Sequence, residues 1–434
     1  MASLVGSFTI HRRSISSTAF FFLALLVHAF CFVQFAQALQ FNTGSYTGNG
    51  VDSRQITGVG FQPGVVIIKS SSSQDTVIRT STMTGDASKH IASGDMLQTN
   101  RIESLTSPTN GFTVGTNADV NGNGTTYYWI AFKDDGAGDF KVGSYTGNGV
   151  DNRSITGVGF QADYLIVVPS SGQRGVQRFA GQTGDNSLEF AGTASTANLI
   201  QALQSDGFQV GNDNRVNANG TVYHYVAWKA GAGKVKVGSY SGNATDNRSF
   251  TGIGFQPEYV IIKGDSNAIG VHRSAQVAGD TTLRFTSTSS IANSIQLLQP
   301  DGFQLGTDST VNGSGTTYYY VAFNINSTTK LAITSVNGGA NPVAGTAFSV
   351  IVQSQDSGGA ASPVSATTGI SLSLETGTGK LGGTLTGTIT AGTSQTTING
   401  VTYTKAESTQ RGRMTTRAFI ITVPDSTIRF CSVS

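Results

Sequence analysis

A segment of roughly a hundred residues occurs as three tandem repeats in this chain. The middle copy opens with Gly-Ser-Tyr-Thr-Gly-Asn-Gly at residues 143–149 and closes with Tyr-His-Tyr-Val-Ala-Trp at residues 223–228. Its counterparts run over residues 44–132 and 238–323. Three phenylalanines keep one register, with spacings of 99 and 95 residues: Phe61, Phe160 and Phe255. Three tandem modules therefore occupy most of the 434 residues.

Each copy is long enough to bury a hydrophobic core of its own. The array is therefore predicted to be a row of independently folded modules, not a solenoid of short units. The predicted divisions are a signal peptide at 1–38, modules at 39–141, 142–236 and 237–331, and a further domain at 332–434.

The composition is low in charge and rich in small polar residues. Charged residues make up 12% of the chain, against about 25% in typical soluble proteins. Of the 27 basic residues, Arg12 and Arg13 lie in the predicted signal segment, which leaves 25 against 25 acidic residues. Because a neutral chain has no electrostatic basis for binding nucleic acid, we expect no such partner.

The N-terminus has the pattern of a secretory signal. His-Arg-Arg at 11–13 precedes an apolar stretch over 18–35, and Ala-Gln-Ala at 36–38 fits a cleavage site. We expect cleavage there and a secreted or cell-surface protein without further membrane contact. An uncleaved anchor is the competing interpretation, because the apolar stretch is long for a signal. Of the two cysteines, Cys31 lies in the signal and Cys431 near the end, so we expect no internal disulfide.

Short β-branched runs recur at residues 65–68, 165–168 and 260–262, and such runs are typical of buried strands. The Asn-Gly pairs at 123–124 and 219–220 indicate tight hairpins. One segment, 196–203 with its counterpart 290–298, is the sole candidate for a helix. We expect about eight strands per copy. The predicted fold class is all-β, with three tandem antiparallel β-sandwich repeats of the jelly-roll or Greek-key kind.

The last strand of each copy carries aromatic residues on both faces. Because side chains alternate along a strand, both faces cannot line the same core. One face is expected to pack inside the sandwich. The other either forms a flat platform on which sugars stack or is covered by a loop or the next module, and we favour the covered alternative. The candidate ligand-binding aromatic residues are Tyr127, Trp129, Tyr223, Tyr225, Tyr318 and Tyr320.

Charged side chains also recur in register. The pairs are Asp52 with Arg54, Asp151 with Arg153, and Asp246 with Arg248. Such pairs either grip a ligand or, more often, tie loops to a sheet edge. All six are candidate site residues. The oxygen-rich loops at 117–119 and 212–214 match no defined calcium loop, so no metal ligand or cofactor is assigned.

The sequence carries no signature of catalysis. His90, His224 and His272 fall at different places in the three copies, so no repeated histidine can serve as a shared base. Neither a G-x-S-x-G elbow nor an H-E-x-x-H motif occurs. We therefore expect a protein that is not an enzyme.

From residue 331 the sequence no longer follows the repeat. Alternating segments over 332–407 predict a smaller sandwich of immunoglobulin type. Residues 408–434 carry four arginines, out of keeping with the low-charge chain before them. This tail is either an altered reading frame that leaves the last domain incomplete or a genuine short basic tail.

The triple module resembles a tandem repeat domain of unknown function found in bacterial secreted proteins and in phage tail or virion proteins. In the middle copy the resemblance rests on 143–149, Gly-Val-Gly-Phe-Gln at 157–161, Asp-Gly-Phe at 206–208 and Val-Asn-Ala-Asn-Gly-Thr at 216–221. The resemblance covers about residues 41–330 and implies no activity. Residues 332–407 resemble bacterial immunoglobulin-like domains, which implies a spacer on a surface protein.

These patterns predict a secreted or surface-exposed, non-enzymatic, adhesin-like protein that makes weak multivalent contacts to a polysaccharide or cell-surface glycan. The first alternative is a structural repeat protein that self-associates or acts as a spacer. The second is an accessory part of a secreted polysaccharide depolymerase, which needs a carboxylate pair facing one groove.

Overall fold

The computed structural model describes residues 39–405 and the backbone of 419–422. Internal gaps fall at 107–110, 135–137, 232, 325–329, 356–360, 363, 365–366, 375–378 and 391–392. The predicted signal peptide, and the tail 408–434 apart from one short strand, lie outside the described residues. Within the described part of the chain, no helix has the length and apolar character needed to cross a bilayer.

The three modules have the same order of elements. The first contains β1 Phe41–Thr47, β2 Arg54–Ile56, β3 Val65–Ser70, β4 Val77–Thr80, β5 Lys89–His90, β6 Ile102–Ser104, β7 Phe112–Val114, α1 Ala118–Asn121 and β8 Thr126–Phe132. The second contains β9 Phe140–Thr146, β10 Arg153–Thr156, β11 Tyr164–Pro169, β12 Val176–Phe179, β13 Asn186–Glu189, β14 Thr196–Ala197, β15 Ile200–Gln204, β16 Gly207–Val210 and β17 Val222–Trp228. The third contains β18 Val235–Ser241, β19 Arg248–Thr251, β20 Tyr259–Gly264, β21 Val271–Ser274, β22 Leu283–Arg284, β23 Ile295–Gln299, β24 Gly302–Leu305 and β25 Thr317–Phe323.

Each module has one large and one small antiparallel sheet. In the first module the large sheet has the order β1-β8-β3-β4-β5 and the small sheet the order β2-β7-β6. A hydrophobic core lies between them, built from Val66 and Ile68 on the large sheet and Phe112 and Val114 on the small one. The predicted all-β fold of three tandem antiparallel repeats is confirmed, with eight or nine strands in each.

The segments expected to be possible helices are strands. Residues 196–203 fall in β14 and β15, and their counterpart leads into β23. Asn198 and Asn293 adopt positive φ just before these strands, a conformation that ends regular structure and suits asparagine. Ile200 and Ile295 then start strands that pair with β16 and β24.

The predicted Asn-Gly hairpins are also wrong. The strands before and after Asn123-Gly124 belong to different sheets, because β7 pairs with β2 and β6 whereas β8 pairs with β1 and β3. Gly124 has a φ of 74° and Gly220 one of 75°. The turn is thus a connection between the two sheets of the sandwich.

A second core joins the three modules. The face of each large sheet that points away from its own sandwich contributes to a single apolar cluster. Phe132, Trp228 and Phe323 end the equivalent strands and meet there, with ring centroids 5.2, 5.7 and 5.0 Å apart. The prediction of independent modules is therefore wrong. Each module has its own core, but its large sheet is apolar on both sides and needs the other two modules to cover it.

The modules close into a ring around this cluster. The same backbone hydrogen bond links each module to a neighbour. Its donor is the N–H of the residue before β4, β12 or β21, and its acceptor is the carbonyl oxygen of the residue after β5, β13 or β22 of the neighbouring module. The three bonds run from Thr76 N to Phe285 O (3.4 Å), from Gly175 N to Ile91 O (2.9 Å) and from Gly270 N to Phe190 O (2.9 Å). The first bond joins the first module to the third, the second joins the second module to the first, and the last joins the third module to the second. Together these bonds close a pseudo-three-fold ring within one chain.

Each junction also holds a fully buried lysine that bonds to the neighbouring module. The contacts, each from Nζ to a carbonyl oxygen, are Lys69 to Thr288 (3.2 Å), Lys263 to Thr193 (2.8 Å) and Lys89 to Ser171 (2.9 Å). Burial lowers the pKa of each lysine from 10.5 to about 8. Carbonyl dipoles, not carboxylates, are the groups bonded to these ammonium ions.

Polar groups in the shared core come in matched pairs. Two modules place a tyrosine where the first places Val65, and each tyrosine has a polar partner where the first module has Ile78. The pairs are Tyr164 with Gln177 (Oη to Oε1, 2.7 Å) and Tyr259 with His272 (Oη to Nδ1, 3.1 Å). A buried tyrosine hydroxyl without a hydrogen-bond partner would lower the stability of the fold. A polar residue therefore replaces Ile78 in the two modules where a tyrosine replaces Val65.

The C-terminal region forms two further sheets. Its elements are β26 Lys330–Val336, a 3₁₀ turn at Asn337–Gly339, β27 Phe348–Gln355, β28 Thr368–Leu374, β29 Leu381–Gly383, β30 Thr386–Ile389, β31 Gln395–Tyr403 and β32 Phe419–Thr422. The sheets have the orders β26-β27-β31-β29 and β30-β28-β32. Val350, Ile370 and Ile398 lie in their common core. This arrangement is consistent with the predicted sandwich, and its assignment to the immunoglobulin type stays a prediction.

An isolated module should not remain a monomer. A fragment of residues 135–236 would expose Trp228, Tyr164 and Ile166 to water, and burying such side chains is worth about 1.5–3 kcal/mol each. We expect this fragment to trimerise or aggregate, whereas residues 39–331 stay monomeric. Sedimentation equilibrium measures both. A folded, monomeric single module would contradict the shared core.

The buried lysines predict how stability depends on pH. Their pKa is about 8 in the folded protein and about 10.4 in the unfolded chain. The unfolded state therefore binds more protons between these values, and the free energy of unfolding should rise from pH 8 to 10. Urea unfolding across this range measures it. The variant Lys69→Met with Lys263→Met should reduce the slope, and an unchanged slope would contradict this assignment.

Candidate functional site

The structure buries the aromatic residues that were candidates for ligand binding. Tyr127, Tyr223 and Tyr318 have no exposed surface, and Trp129, Tyr225 and Tyr320 are at most 5% exposed. They line the core of their own sandwich. The opposite face of the same strands lies in the core shared by the modules. The last strand therefore offers no platform, and the alternative in which neighbouring modules cover it is the one observed.

The tyrosine hydroxyls hold a loop in place instead. Tyr127 Oη donates to Ala118 O and accepts from Gly122 N, so it holds both sides of α1. Tyr223 and Tyr318 make the same two bonds in their modules. These residues position that loop through two backbone hydrogen bonds at each hydroxyl.

A buried asparagine connects three loops in every module, and sequence reasoning missed it. Asn121 donates from Nδ2 to Val51 O and Gly115 O, and its Oδ1 accepts from Asn49 N and Arg54 Nη1. Asn217 and Asn312 repeat all four bonds. The sequence did carry a signal for it. Each copy has a Val-Asn pair whose asparagine lies six residues before the same tyrosine.

The recurring arginines serve the same framework. Arg54 donates to Thr47 O at 2.6 Å and lies over the Tyr46 ring, 5.1 Å from its centroid. Arg153 and Arg248 do likewise. Their aspartate neighbours do not pair with them among the described residues. Asp151 and Asp246 instead accept from Gln201 and Gln296. These arginines and aspartates therefore bond loops to the sheets and not to each other.

One acidic contact differs between modules. Gln201 Nε2 lies among three acceptors, Asp151 Oδ1 (2.9 Å), Asn198 Oδ1 (3.3 Å) and Asp185 Oδ2 (3.4 Å). The first module has Glu103 at this position, beside Asp52 and Asp86. Burial raises the pKa of Glu103, and the charges of the two aspartates raise it further.

Beyond this common framework, one end of the ring carries polar and charged side chains beside small apolar ones. Three equivalent loops, residues 92–95, 191–194 and 286–289, surround the pseudo-three-fold axis here, and we call this surface the axial end. Residues from all three modules line an open depression of about 670 Å³ there, including Gly94, Gly192 and Ser287. A neighbouring pocket of about 460 Å³ is lined by Gln173, Asn214 and the charged residues described below.

Three positions beside this depression carry different charges in each module. In the first module they are Asp75, His90 and Asp119; in the second, Arg174, Glu189 and Arg215; in the third, Ile269, Arg284 and Thr310. The strand register fixes the middle position, since Val77, Val176 and Val271 pair with His90, Glu189 and Arg284. The same backbone thus presents three chemically distinct surfaces.

In the first module a histidine is held between carboxylates. His90 Nδ1 lies 2.7 Å from Asp95 Oδ2, and its Nε2 lies 2.8 Å from Asp119 Oδ2, which also accepts from Arg101 Nε. Burial disfavours the imidazolium, but the hydrogen bonds to Asp119 and Asp95 outweigh it and raise the pKa of His90. With both ring nitrogens donating, His90 is unsuited to act as a base or metal ligand.

In the second module the charges are reversed. Glu189 is 4% exposed and accepts from Arg215 Nη1 at 2.6 Å, Thr193 Oγ1 at 3.0 Å and Arg174 Nη1 at 3.2 Å. Burial opposes its charge, yet the bonds from Arg215 and Thr193 lower the pKa of Glu189. Arg215 also makes a two-bond contact with Asp213. Arg174 is the most exposed of these groups and faces both cavities.

The sequence model described as domain of unknown function DUF7483 matches residues 37–140, 135–236 and 230–327. The chain belongs to the DUF7483 family. The three matches coincide with the three modules, so the predicted tandem repeat of a domain of unknown function is confirmed. Searches of curated proteins and of solved structures find no match to the chain. DUF7483 modules in this chain thus share one framework and differ at the axial end.

Replacing Glu103 by glutamine should stabilise the first DUF7483 module. The amide would supply the donor that Gln201 supplies in the second module and remove one of three neighbouring negative charges. We expect a gain of about 1 kcal/mol at pH 7 in urea unfolding. The gain should shrink at low pH, because protonation neutralises the raised-pKa Glu103 in the unmodified chain.

The reverse change, Gln201→Glu, is the matched control and should destabilise the protein at pH 7. Equal stabilities for wild type and Glu103→Gln at both pH 7 and pH 4 would show that the carboxylates do not interact.

Proposed function

We propose that this protein is a secreted or cell-surface, non-enzymatic, adhesin-like binding protein. It holds a polysaccharide or cell-surface glycan by several weak contacts made from the axial end of the ring. The observation that carries the proposal is the closure of three modules around one core, which directs three equivalent loop sets to the same end. Rigid presentation of several contacts raises avidity, because the later contacts form intramolecularly.

The chemistry of the axial end supports a hydroxyl-rich ligand. Its cavities are bounded by glycine and serine or threonine loops with Gln173 and Asn214, and the buried Glu189 beside them is paired with Arg174 and Arg215. Such groups donate and accept hydrogen bonds without attracting a strongly charged partner. The C-terminal sandwich would act as a spacer of immunoglobulin type behind this unit.

Self-association, the first alternative, has less support. The apolar faces of the large sheets are covered inside the ring. Among the described residues, the exposed large hydrophobic side chains are scattered: Val51, Met96, Val150, Val222, Leu297 and Val343. A filament interface would need a contiguous apolar patch.

A role beside a depolymerase would rest on the carboxylates around Glu103. Glutamines occupy the equivalent positions in the other two modules, as Gln201 and Gln296, so the arrangement is confined to one module. Loss of glycan hydrolysis in Glu103→Gln would revive this second alternative.

The test is retention of residues 39–434 on a panel of insoluble polysaccharides and cell-wall glycans. We expect retention of wild type and its loss in Ser287→Trp, because the indole would fill the axial depression. Ser154 is exposed on the small sheet of the second module, so Ser154→Trp is the matched control and should be retained. No retention of wild type on any glycan would reject the proposal, and concentration-dependent polymers would favour the structural alternative.

A further inference from the structure

The third module has an open cleft away from the axial end. Its volume is about 560 Å³, within the range of small-molecule sites. Ala275, Val277 and Leu298 supply its apolar part, and the polar part includes Gln256, Gln296 and Gln304. Neither the family nor the framework bonds described above assign a role to this cleft.

The residue at one edge of the cleft differs between the modules. Val277 corresponds to Met83 in the first module and Gln182 in the second, all three lying beside the same buried arginine. Gln182 Oε1 accepts from Phe179 N at 2.9 Å, which holds its side chain inward. Met83 packs in the core shared by the modules, whereas the shorter Val277 lines the cleft.

The second module also closes the mouth of this space. Gln161, in the loop before β11, donates from Nε2 to Leu203 O of the small sheet at 3.1 Å. The corresponding Gln256 lines the open cleft of the third module. Leu297 at the mouth is 50% exposed, whereas Ala202 occupies its place in the second module. An exposed leucine beside a cleft suits contact with a bound molecule.

Two buried polar atoms border the cleft without a hydrogen-bond partner. They are Gln296 Oε1, an acceptor, and Arg273 Nε, a donor on a side chain that is 4% exposed. A buried polar atom without a partner costs about 1–3 kcal/mol. The counterparts Arg79 Nε and Gln201 Oε1 are also unpartnered, so these atoms belong to the shared framework. In the open cleft of the third module, a ligand with both donors and acceptors would satisfy them.

The two charged residues that line the cleft, Arg273 and Asp280, have opposite signs and both have hydrogen-bond partners. Arg273 donates from its terminal nitrogens to the carbonyl oxygens of Val277, Gly279, Thr281 and Ile295. Asp280 accepts from Asn293 N with both carboxylate oxygens. The remaining polar groups are neutral amides, which both donate and accept. The cleft therefore favours an uncharged ligand with hydroxyl or amide edges and an apolar face.

From these observations we propose that the cleft between Val277 and Gln304 binds an uncharged sugar residue of a glycan. Hydroxyl groups would bond to the glutamine amides and Gln296 Oε1, and the C–H face of the sugar would pack on Val277 and Leu298. The proposal goes beyond multivalent binding at the axial end, because it places one sugar site in a single module.

The test is calorimetric titration of residues 39–434 with glucose, galactose, N-acetylglucosamine and their disaccharides. We expect Val277→Met, which installs the residue of the first module, to weaken binding at least tenfold. Val343, 66% exposed outside the modules, provides the matched control: Val343→Met should bind as wild type does. Leu297→Glu, on an exposed side chain, is a second variant should Val277→Met fold poorly, and it too should weaken binding.

The outcomes separate this proposal from the preceding one. Unchanged sugar affinity in Val277→Met and Leu297→Glu would overturn the cleft site. The cleft site would also be overturned if wild type bound none of the sugars but was still retained on polysaccharide. This result would leave the axial-end proposal in place. Absence of both sugar binding and polysaccharide retention in wild type would overturn both.

Discussion

The structure depends on covering the second apolar face of each large sheet. A β-sandwich normally buries one face of each sheet and leaves the other to water. Here the odd-numbered positions of β3, Val65 and Ile67, are as apolar as the even-numbered ones that face the sandwich interior. Three such faces meet at Phe132, Trp228 and Phe323 and exclude water from one another. The lysines and backbone bonds at the junctions then fix how the modules are rotated about that core.

The framework bonds explain how the surface varies without loss of the fold. Asn121, Arg54 and Tyr127 bind backbone atoms, so the loops they hold keep their course whatever their side chains are. At the axial end an Asp-His-Asp set, an Arg-Glu-Arg set and an Ile-Arg-Thr set occupy one backbone geometry. The first two sets satisfy their charges locally, as Asp119 does with His90 and Arg101 and as Glu189 does with Arg174 and Arg215.

Much of the module fold follows from the sequence, because β-branched runs and repeated glycine-bounded segments constrain strands directly. The large-sheet strands at 65–68 and their copies were predictable for that reason. The ring was not, because an apolar strand face looks the same whether a loop, its own sandwich or another module covers it. The segments before Ile200 and Ile295 were misjudged as possible helices because the positive φ of an asparagine leaves no periodic signal.

The candidate site was the least predictable part. Aromatic residues such as Trp129 and Tyr225 suggested a platform from their chemistry, but their burial depends on packing over distances that a local pattern does not encode. Asn121 was visible as a repeated residue, yet asparagine in a glycine-rich loop is so common that only its four bonds distinguish it. The charge pattern at Asp75 and Arg174 emerges only when strand pairing aligns the copies.

Joining the three modules in one polypeptide has a consequence for how this surface can change. In a symmetric homotrimer a substitution appears three times around the axis, so a new positive charge there would face two copies of itself. In the ring formed by one chain, each module mutates alone. Arg174 can then occupy the position where its counterparts are Asp75 and Ile269, and Val277 can line a cleft where its counterparts are Met83 and Gln182. Covalent linkage thereby permits asymmetry on a nearly symmetric scaffold, and one ring can present three different faces to a single ligand.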